Sequence, residues 1–573
     1  MPSGVLLALR QRLADWKRSA GVDRRRLTSW VQGLVCLEDG NRFSFEGHEY
    51  LRGLYDDEAA RIVVRKAAQL GITTWSLLRS FHLCANIPGI LGGIYYFPTV
   101  KDVRDFSRGR AGPLAEVNPG ILSALGDVDS IEQKRIGKAF LYFRGLRSAI
   151  SVKSVPADFL IFDEIDEAPP DKVELARKRM AHSDFRIEVA LGNPTLPDYG
   201  ISEEFESSDR RYYHMKCPGC SRWVSPDREF PTKLGEEISV IREEQDGTAY
   251  LACPHCASEL DRAVGIWVPE RQDPGLAHGY AMSHLLSIKV SPAQILEEYR
   301  TTRFPQIFWN TTLGRPYADA GAKLTREQVL ALCGDEPLQE ESTKRCTMGI
   351  DVGGRFHVVV SRRVDGQHRK VIHLGVHHEW SELDRLMDRF QVGRAVIDAL
   401  PELHGAKEFV GRHPGKVWRC FFKEPVRGGA SWDDERREVS INRAEALDLS
   451  AAAILEGRIT LPRRQPRVEL FAAQLTVDAK KLVTNDETGE QRYAYVLTRP
   501  PVMPGENEEY RENHFRMALT YDLLAASSDT GPAVGACSLS GVADLDTRPL
   551  HRRTYGPQRQ WRILRRRLRE LRR

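Results

Sequence analysis

The most specific chemistry in this sequence lies in two pairs of cysteines. Cys217-Pro-Gly-Cys220 and Cys253-Pro-His-Cys256 are CxxC knuckles separated by 32 residues. The turn-forming pair inside each knuckle lets both sulfurs face one ion, and a set of Cys217, Cys220, Cys253 and Cys256 thiolates suits tetrahedral Zn²⁺. A shell filled by thiolates leaves no open position, so the site reads as structural, with His214 and His255 as bystanders. The remaining cysteines are scattered and read as free thiols rather than a disulfide framework.

Two acidic constellations point to a different kind of chemistry. Phe159-Leu160-Ile161-Phe162 is an apolar run that ends in Asp163-Glu164. Upstream, the segment Arg65 to Thr74 follows the apolar Ile62-Val63-Val64 and precedes a helical run from Trp75. A tight turn between strand and helix aims backbone N–H groups at phosphates. Gly71 and Thr73 fit such a loop, and the Thr73 hydroxyl suits magnesium. Ile72, however, stands where a lysine is usual, and Lys66 where a glycine is usual. Asp163 then holds Mg²⁺ and Glu164 polarises the attacking water of an ATP hydrolase. The plain alternative is a strand running into an acidic surface turn, helped by Asp166 and Glu167.

The second constellation is Asp351, inside Met348-Gly349-Ile350-Asp351-Val352-Gly353, and Asp398, which ends Val396-Ile397-Asp398. An acid within an apolar strand is costly without a partner or a metal. In an RNase H-like sheet the first and fourth strands lie side by side, so these acids converge. Carboxylates so placed share one or two divalent ions, Mg²⁺ or Mn²⁺, that clamp the attacking and leaving oxygens of a phosphodiester. The alternative is a pair of strand-end surface acids.

The elements that must position these groups can be read from patterning. Short apolar runs at 62–64, 93–97, 159–162 and 187–191 alternate with helical stretches such as 171–181, as buried parallel strands do. An α/β fold with a parallel sheet flanked by helices follows. Later, strands at 347–352, 356–361 and 370–376, a helix at 381–390 and a strand at 394–398 repeat the order strand, strand, strand, helix, strand. The chain of 573 residues is too long for one core. We divide it into an N-terminal helical segment (1–45), an ATPase domain (46–210), a zinc-ribbon insertion (211–265), a connector or lid (266–340), an RNase H-like domain (341–530) and a basic tail (531–573). Hydrophobic residues at 41% and charged residues at 28% exclude a disordered chain. The most apolar stretch, 83–97, is broken by Pro88 and glycines, so no membrane span is expected. Nor does the N-terminus have a signal peptide's apolar core.

These motifs in this order resemble the large subunit of tailed-phage terminases, of the lambda-like type, over roughly residues 45 to 525. In that family the phosphate-binding lysine often sits at the start of the loop, where Lys66 follows Arg65 here. The resemblance thus implies ATP binding by Arg65, Lys66, Gln69, Gly71, Thr73 and Asp163, with Glu164 catalytic. It implies a coupling segment at Gly192-Asn193-Pro194-Thr195, with Asn193 and Thr195 its polar members, and an arginine acting in cis, either Arg108 or Arg110. The family's last nuclease helix carries Asp-His-x-x-Asp-Ala-x-x-Tyr. Here His514, Ala518 and Tyr521 match, while Asn513 and Met517 replace the acids. Glu512 and Asp522 are the substitutes for the third metal ligand, and His514 is a further ligand or catalytic group.

The implied activity is ATP-driven translocation of double-stranded viral DNA, with endonucleolytic cutting of concatemers. The implied cofactors are ATP, Mg²⁺ or Mn²⁺, and Zn²⁺. The implied partners are duplex DNA, a portal or procapsid, a small terminase subunit and further copies in a ring, in the host cytoplasm and without a membrane. Two rival readings are another ATP-dependent helicase-nuclease and a non-catalytic, zinc-stapled DNA-binding assembly protein. The C-terminal arginines, interleaved with Leu564, Leu568 and Leu571, suit an amphipathic helix that touches phosphates or docks on the capsid.

Overall fold

The computed structural model describes residues 22–118, 125–147, 155–234, 237–319, 321–424, 428–484 and 491–527. The basic tail and residues 1–21 of the N-terminal helical segment lie outside the described residues.

One large sheet carries the first set of motifs. Its strands include β1 (Arg61–Lys66), β2 (Gly92–Phe97), β3 (Phe159–Asp163), β4 (Ile187–Gly192), β5 (Arg211–Lys216) and β6 (His278–Met282). The order runs β5-β6-β1-β4-β3-β2, then on to the strand Ala139–Gly145. These neighbours are parallel. Both faces are covered, so β3 is buried at every position and reads as an uninterrupted apolar run. Helix α1 (Ile72–Asn86) follows β1 directly. Because β1, β4 and β3 run the same way, their carboxyl ends converge at one edge, where ligands of parallel α/β sheets bind.

The sheet extends beyond the expected boundary at residue 210. β5 and the strand Gly265–Pro269 pair with each other, and β6 lies against β1. The presumed insertion and the first part of the presumed connector therefore complete the first domain's sheet. Ile295, Phe308 and Leu313 of the connector also join the first core, and only its last part packs elsewhere: Leu324 and Val329 join a core with Val359, Phe471 and Phe515. Sequence patterning missed this because β6 is short and its pairing with β1 spans more than 200 residues.

The second sheet is built from β7 (Cys346–Val352), β8 (Phe356–Asp365), β9 (His368–His377), β10 (Val392–Asp398) and β11 (Val417–Phe422), with α2 (Trp380–Arg389) between β9 and β10. The central order is β11-β10-β7-β8-β9. β7, β8 and β9 are successive antiparallel neighbours, and β10 returns parallel to β7. The first and fourth strands of this unit thus lie side by side. Helix α3 (His514–Ser527) packs on β7 at Gly349. A Cβ there would meet the carbonyl oxygen of Ala518 at 2.0 Å and the Asp522 nitrogen at 2.2 Å, so only glycine lets the helix approach this closely.

Candidate functional site

Lys66 ends β1 and is buried, although it carries a charge. Its ammonium donates to Glu164 Oε1 at 3.0 Å and to Asn193 Oδ1 at 3.3 Å. The Asn193 backbone N–H donates to Glu164 Oε2 at 3.2 Å, and its side-chain amide donates to the Lys66 carbonyl at 3.1 Å. The ends of β1, β3 and β4 are thereby tied into one triangle. Glu164 adopts a left-handed backbone with φ of 51°, a conformation that costs a non-glycine residue about 1 kcal/mol or more and clusters at functional sites. Its N–H donates to Asp163 Oδ1 at 3.1 Å, and the Tyr95 hydroxyl donates to Asp163 Oδ2 at 2.8 Å. Burial, reinforced by the Glu164 charge, pushes the Asp163 carboxyl up to about 6. Such a carboxylate, short of positive charge, fits a magnesium ion.

Beside this triangle is a cavity of about 350 Å³ lined by Lys66, Gln69, Gly71, Thr73, Glu164 and Asn193. Gly71, at φ of 81°, caps α1 in a left-handed turn that a side chain would strain. The N–H groups of Ala67 and Ala68 donate to the Met282 and Thr311 carbonyls at 2.7 and 2.8 Å, which fixes the loop's root.

Two expectations change here. Arg65 points away from the cavity. Its guanidinium stacks 4.0 Å from the Phe205 ring centroid and pairs with Glu206 at 3.5 Å, because adjacent residues of a strand face opposite sides of the sheet. Of the two candidates for the cis arginine, Arg110 lines the cavity and donates to Thr74 Oγ1 at 2.9 Å, whereas Arg108 is exposed outside that lining. Ile72 is core. Sequence reasoning also missed Asp166. It is buried, and its carboxylate accepts from the Thr195 N–H and hydroxyl, each at 2.7 Å, and from the Ile201 N–H at 2.6 Å. Asp166 is therefore no surface acid; it clamps the segment that carries Asn193 and Thr195.

The cysteines converge as their spacing predicts. Cys217 Sγ lies 3.5 Å from Cys256 Sγ, and Cys220 Sγ lies 3.7 Å from Cys253 Sγ. Tetrahedral zinc with Zn–S bonds of about 2.3 Å requires sulfurs about 3.8 Å apart, so the donor set fits the ion. The knuckles have matching backbones: Ser221 and Ala257 each follow a second cysteine with φ of 60°. Each also returns its N–H to the first cysteine's carbonyl, at 3.0 and 2.9 Å. Cys217 and Cys253 belong to the main core, which roots both knuckles in the first domain.

In the second sheet, β7 and β10 bring Asp351 and Asp398 together. Ile350 pairs with Ile397, and each acid is the next residue along. Burial pushes Asp398 up to about 6, with the Asp351 charge contributing. His514 opens α3 and its Nδ1 lies 2.7 Å from Asp351 Oδ2. This contact raises the imidazole's pKa, and burial raises that of Asp351. Glu512 lies 3.5 Å from His514 Nε2, at the margin of the group.

Asp522 does not substitute for a missing acid. It is fully buried and accepts from the hydroxyls of Thr347, at 2.6 Å, and Ser361, while Arg369 braces both hydroxyls. Eight residues beyond His514 on α3, it lies more than two turns down the helix, opposite the start of β7 rather than its end. Asn513 holds Asp478 at 3.1 Å, and Met517 is core. Sequence reasoning overlooked His357, which lies directly across from Asp351 in the β7–β8 ladder. Its ring stacks on His514 with centroids 4.6 Å apart, and neither ring nitrogen has a hydrogen-bond partner among the described residues. The donor atoms of Asp351, His357 and His514 lie within 4.8 Å of one another. The legible signal was Asp351-x₅-His357 across a tight turn, which puts both side chains on one face of a hairpin.

Residues 47–266 match the family model of the phage terminase large subunit gpA, ATPase domain. No curated protein sequence matches. The large terminase of bacteriophage HK97 superposes with a TM-score of 0.51 at 10% identity, covering 88% of this chain and 99% of that one. The large terminase of a thermophilic bacteriophage, in complex with ATP-γ-S, aligns with a TM-score of 0.29 at 12% identity over 84% of this chain and 99% of that one. The Thermus phage P74-26 large terminase ATPase domain gives 0.30 at 12% identity over 47% of this chain and 96% of that one. The matched segment contains the loop, Asp163-Glu164 and the cysteine knuckles, and the chain shares the fold of the HK97 protein. Residues 47–266 thus match the ATPase domain of the phage terminase large subunits.

Proposed function

We propose that this terminase large subunit, the ATP-hydrolysing motor of viral DNA packaging, carries the motor and the DNA-cutting activities at two separate sites of one chain. The motor site is the β1–β3–β4 edge. Lys66 faces the cavity where phosphates enter, Thr73 and Asp163 are placed to hold Mg²⁺, and Glu164 is placed to orient water. The Lys66 ammonium donates to Glu164 and Asn193. Phosphate oxygens compete for that ammonium and so release Glu164 to its water. Asn193 and Asp166-bound Thr195 transmit the change along the segment after β4. Arg110 is the cis arginine best placed to complete the site.

The cutting site is the Asp351–Asp398 edge of an RNase H-like sheet. A divalent ion bound there supplies Lewis-acid stabilisation of the scissile phosphate. Asp351 and Asp398 hold it, and His514 is braced by Asp351. Zn²⁺ at the cysteine knuckles is structural. The chain works on double-stranded DNA at a portal, with a small subunit and further copies of itself, inside the host cell. No helix among the described residues is long and apolar enough to cross a membrane.

The observation that carries the two-activity reading is the convergence of Asp351 and Asp398 on adjacent parallel strands. The purified chain is incubated with supercoiled plasmid and Mg²⁺ or Mn²⁺ beside Asp351→Ala. Nicking by the wild type alone is expected; equal cutting by both proteins would remove the assignment.

A further inference from the structure

We propose that the cutting site holds a divalent transition-metal ion through two imidazoles and a carboxylate, those of His357, His514 and Asp351, and so selects Mn²⁺ over Mg²⁺. The proposal rests on the nuclease reading above and deepens it. Its first support is His357 itself. The side chain is 1% exposed, yet neither nitrogen meets a hydrogen-bond partner among the described residues. Buried polar groups are almost always paired, so an imidazole left open beside a carboxylate points to a ligand that is normally there.

The second support is placement. β7 and β8 put Asp351 and His357 opposite each other, and α3 delivers His514 against the same acid at 2.7 Å. The three donors come from separate elements and lie within 4.8 Å of one another, and the proton shared by His514 and Asp351 is what an ion would displace. His357 is held by stacking on His514 and by an edge-on contact with Phe515, whose ring lies 5.0 Å away at 89°. An ion shared by both imidazoles lies in the plane of each ring, so the two rings turn out of this stack when it binds.

The third support is what the site lacks. The positions where the last helix would offer further acids hold Asn513 and Met517, and Asp522 is consumed by Thr347, Ser361 and Arg369. Asp351 and Asp398 are then the carboxylates left at the centre. Mg²⁺ is served by oxygen donors, whereas imidazoles suit first-row transition ions. A mixed nitrogen and oxygen set therefore discriminates between the two.

The test is Mn²⁺ binding to the full chain with its cysteine site loaded with zinc and no nucleotide present. Free Mn²⁺ is followed by electron paramagnetic resonance, Mg²⁺ serves as competitor, and pulsed spectra read directly bound nitrogen. No histidine lines the ATPase cavity, and nitrogen coupling that is lost in His357→Phe reports the cutting site. Expected are two imidazole nitrogens, at least about tenfold preference over Mg²⁺, and Mn²⁺ binding weakened about 10- to 100-fold in His357→Phe. That variant keeps the ring packing, so its melting temperature and ATPase rate should be those of the wild type. A single bound nitrogen, equal competition by Mg²⁺, or wild-type binding by His357→Phe would overturn the proposal. The wild-type spectrum decides even if the variant does not fold. If Asp351→Asn loses Mn²⁺ binding and cutting while His357→Phe keeps both, the nuclease reading stands and this inference falls. If Asp351→Asn keeps both, the nuclease reading falls as well.

Discussion

Replacing Lys66 by Met, beside Arg65→Met, tests the assignment of the motor site at its most unusual point. The two basic residues are neighbours on β1 but face opposite sides of the sheet. Lys66 lines the cavity, and its ammonium lies 3.0 Å from Glu164. A preorganised donor aimed at developing phosphate charge is worth about 2.7–4 kcal/mol, or roughly 10²–10³ in kcat. Lys66→Met should therefore lower ATP turnover by about that factor. Its stability should change little, because the lost pair with Glu164, whose side chain is 41% exposed, is offset by removing a buried charge.

Arg65→Met should behave in the opposite way. It loses the stacking on Phe205, about 0.5–2 kcal/mol, and a long 3.5 Å pair with the partly exposed Glu206, about 0–1 kcal/mol. Together these lower the melting temperature while leaving kcat within about twofold, since nothing made in the transition state is removed. Steady-state phosphate release and thermal melts read both effects. Should Arg65→Met abolish turnover while Lys66→Met preserves it, the phosphate face of β1 would be misassigned and the reasoning from strand alternation would fail.

Other perturbations have equally defined outcomes. Asp163 is held at about 6, above its unfolded value of 3.8. Its contribution to stability is therefore fully present below about pH 4 and lost as pH rises through about 6, where the ionised group waits for a cation. Mg²⁺·ATP affinity should then weaken by about tenfold per pH unit below 6. Asp163→Asn should remove that part of the dependence, and calorimetric titration across pH 5–8 would show an unchanged slope if the assignment is wrong. Metal analysis should find one zinc per chain. Cys253→Ala should lose it and lower the melting of the first domain, because that sulfur is rooted in its core; full zinc occupancy in the variant would refute the site. Gly349→Ala should force α3 off β7, at about 1–3 kcal/mol of overpacking, and reduce plasmid cutting by moving His514 from Asp351. Unchanged melting would contradict the close approach.

The chain's local chemistry was open to reading in order. Two CxxC knuckles with turn residues between the sulfurs dictate a four-thiolate site, and an apolar run ending in Asp163-Glu164 dictates a buried strand with acids at its mouth. The succession strand, strand, strand, helix, strand after residue 345 predicts Asp351 beside Asp398, and the register agrees. These features depend on neighbours in sequence or on the period of a strand. What the tertiary structure decided depends on partners hundreds of residues away. β6 joins β1, so residues read as a connector complete the first sheet. Strand facing turns Arg65 to Phe205 and leaves Lys66 with the cavity. Asp166, which reads as a surface acid, is buried because Thr195 and Ile201 fold over it. Asp522 and His357 change places in importance for the same reason. Helix α3 meets β7 so closely at Gly349 that Asp522 is sealed against Thr347, while His514 lands on Asp351 opposite His357. Propensity and spacing say which groups a segment carries; only packing against distant segments says which of them share water, a proton or an ion.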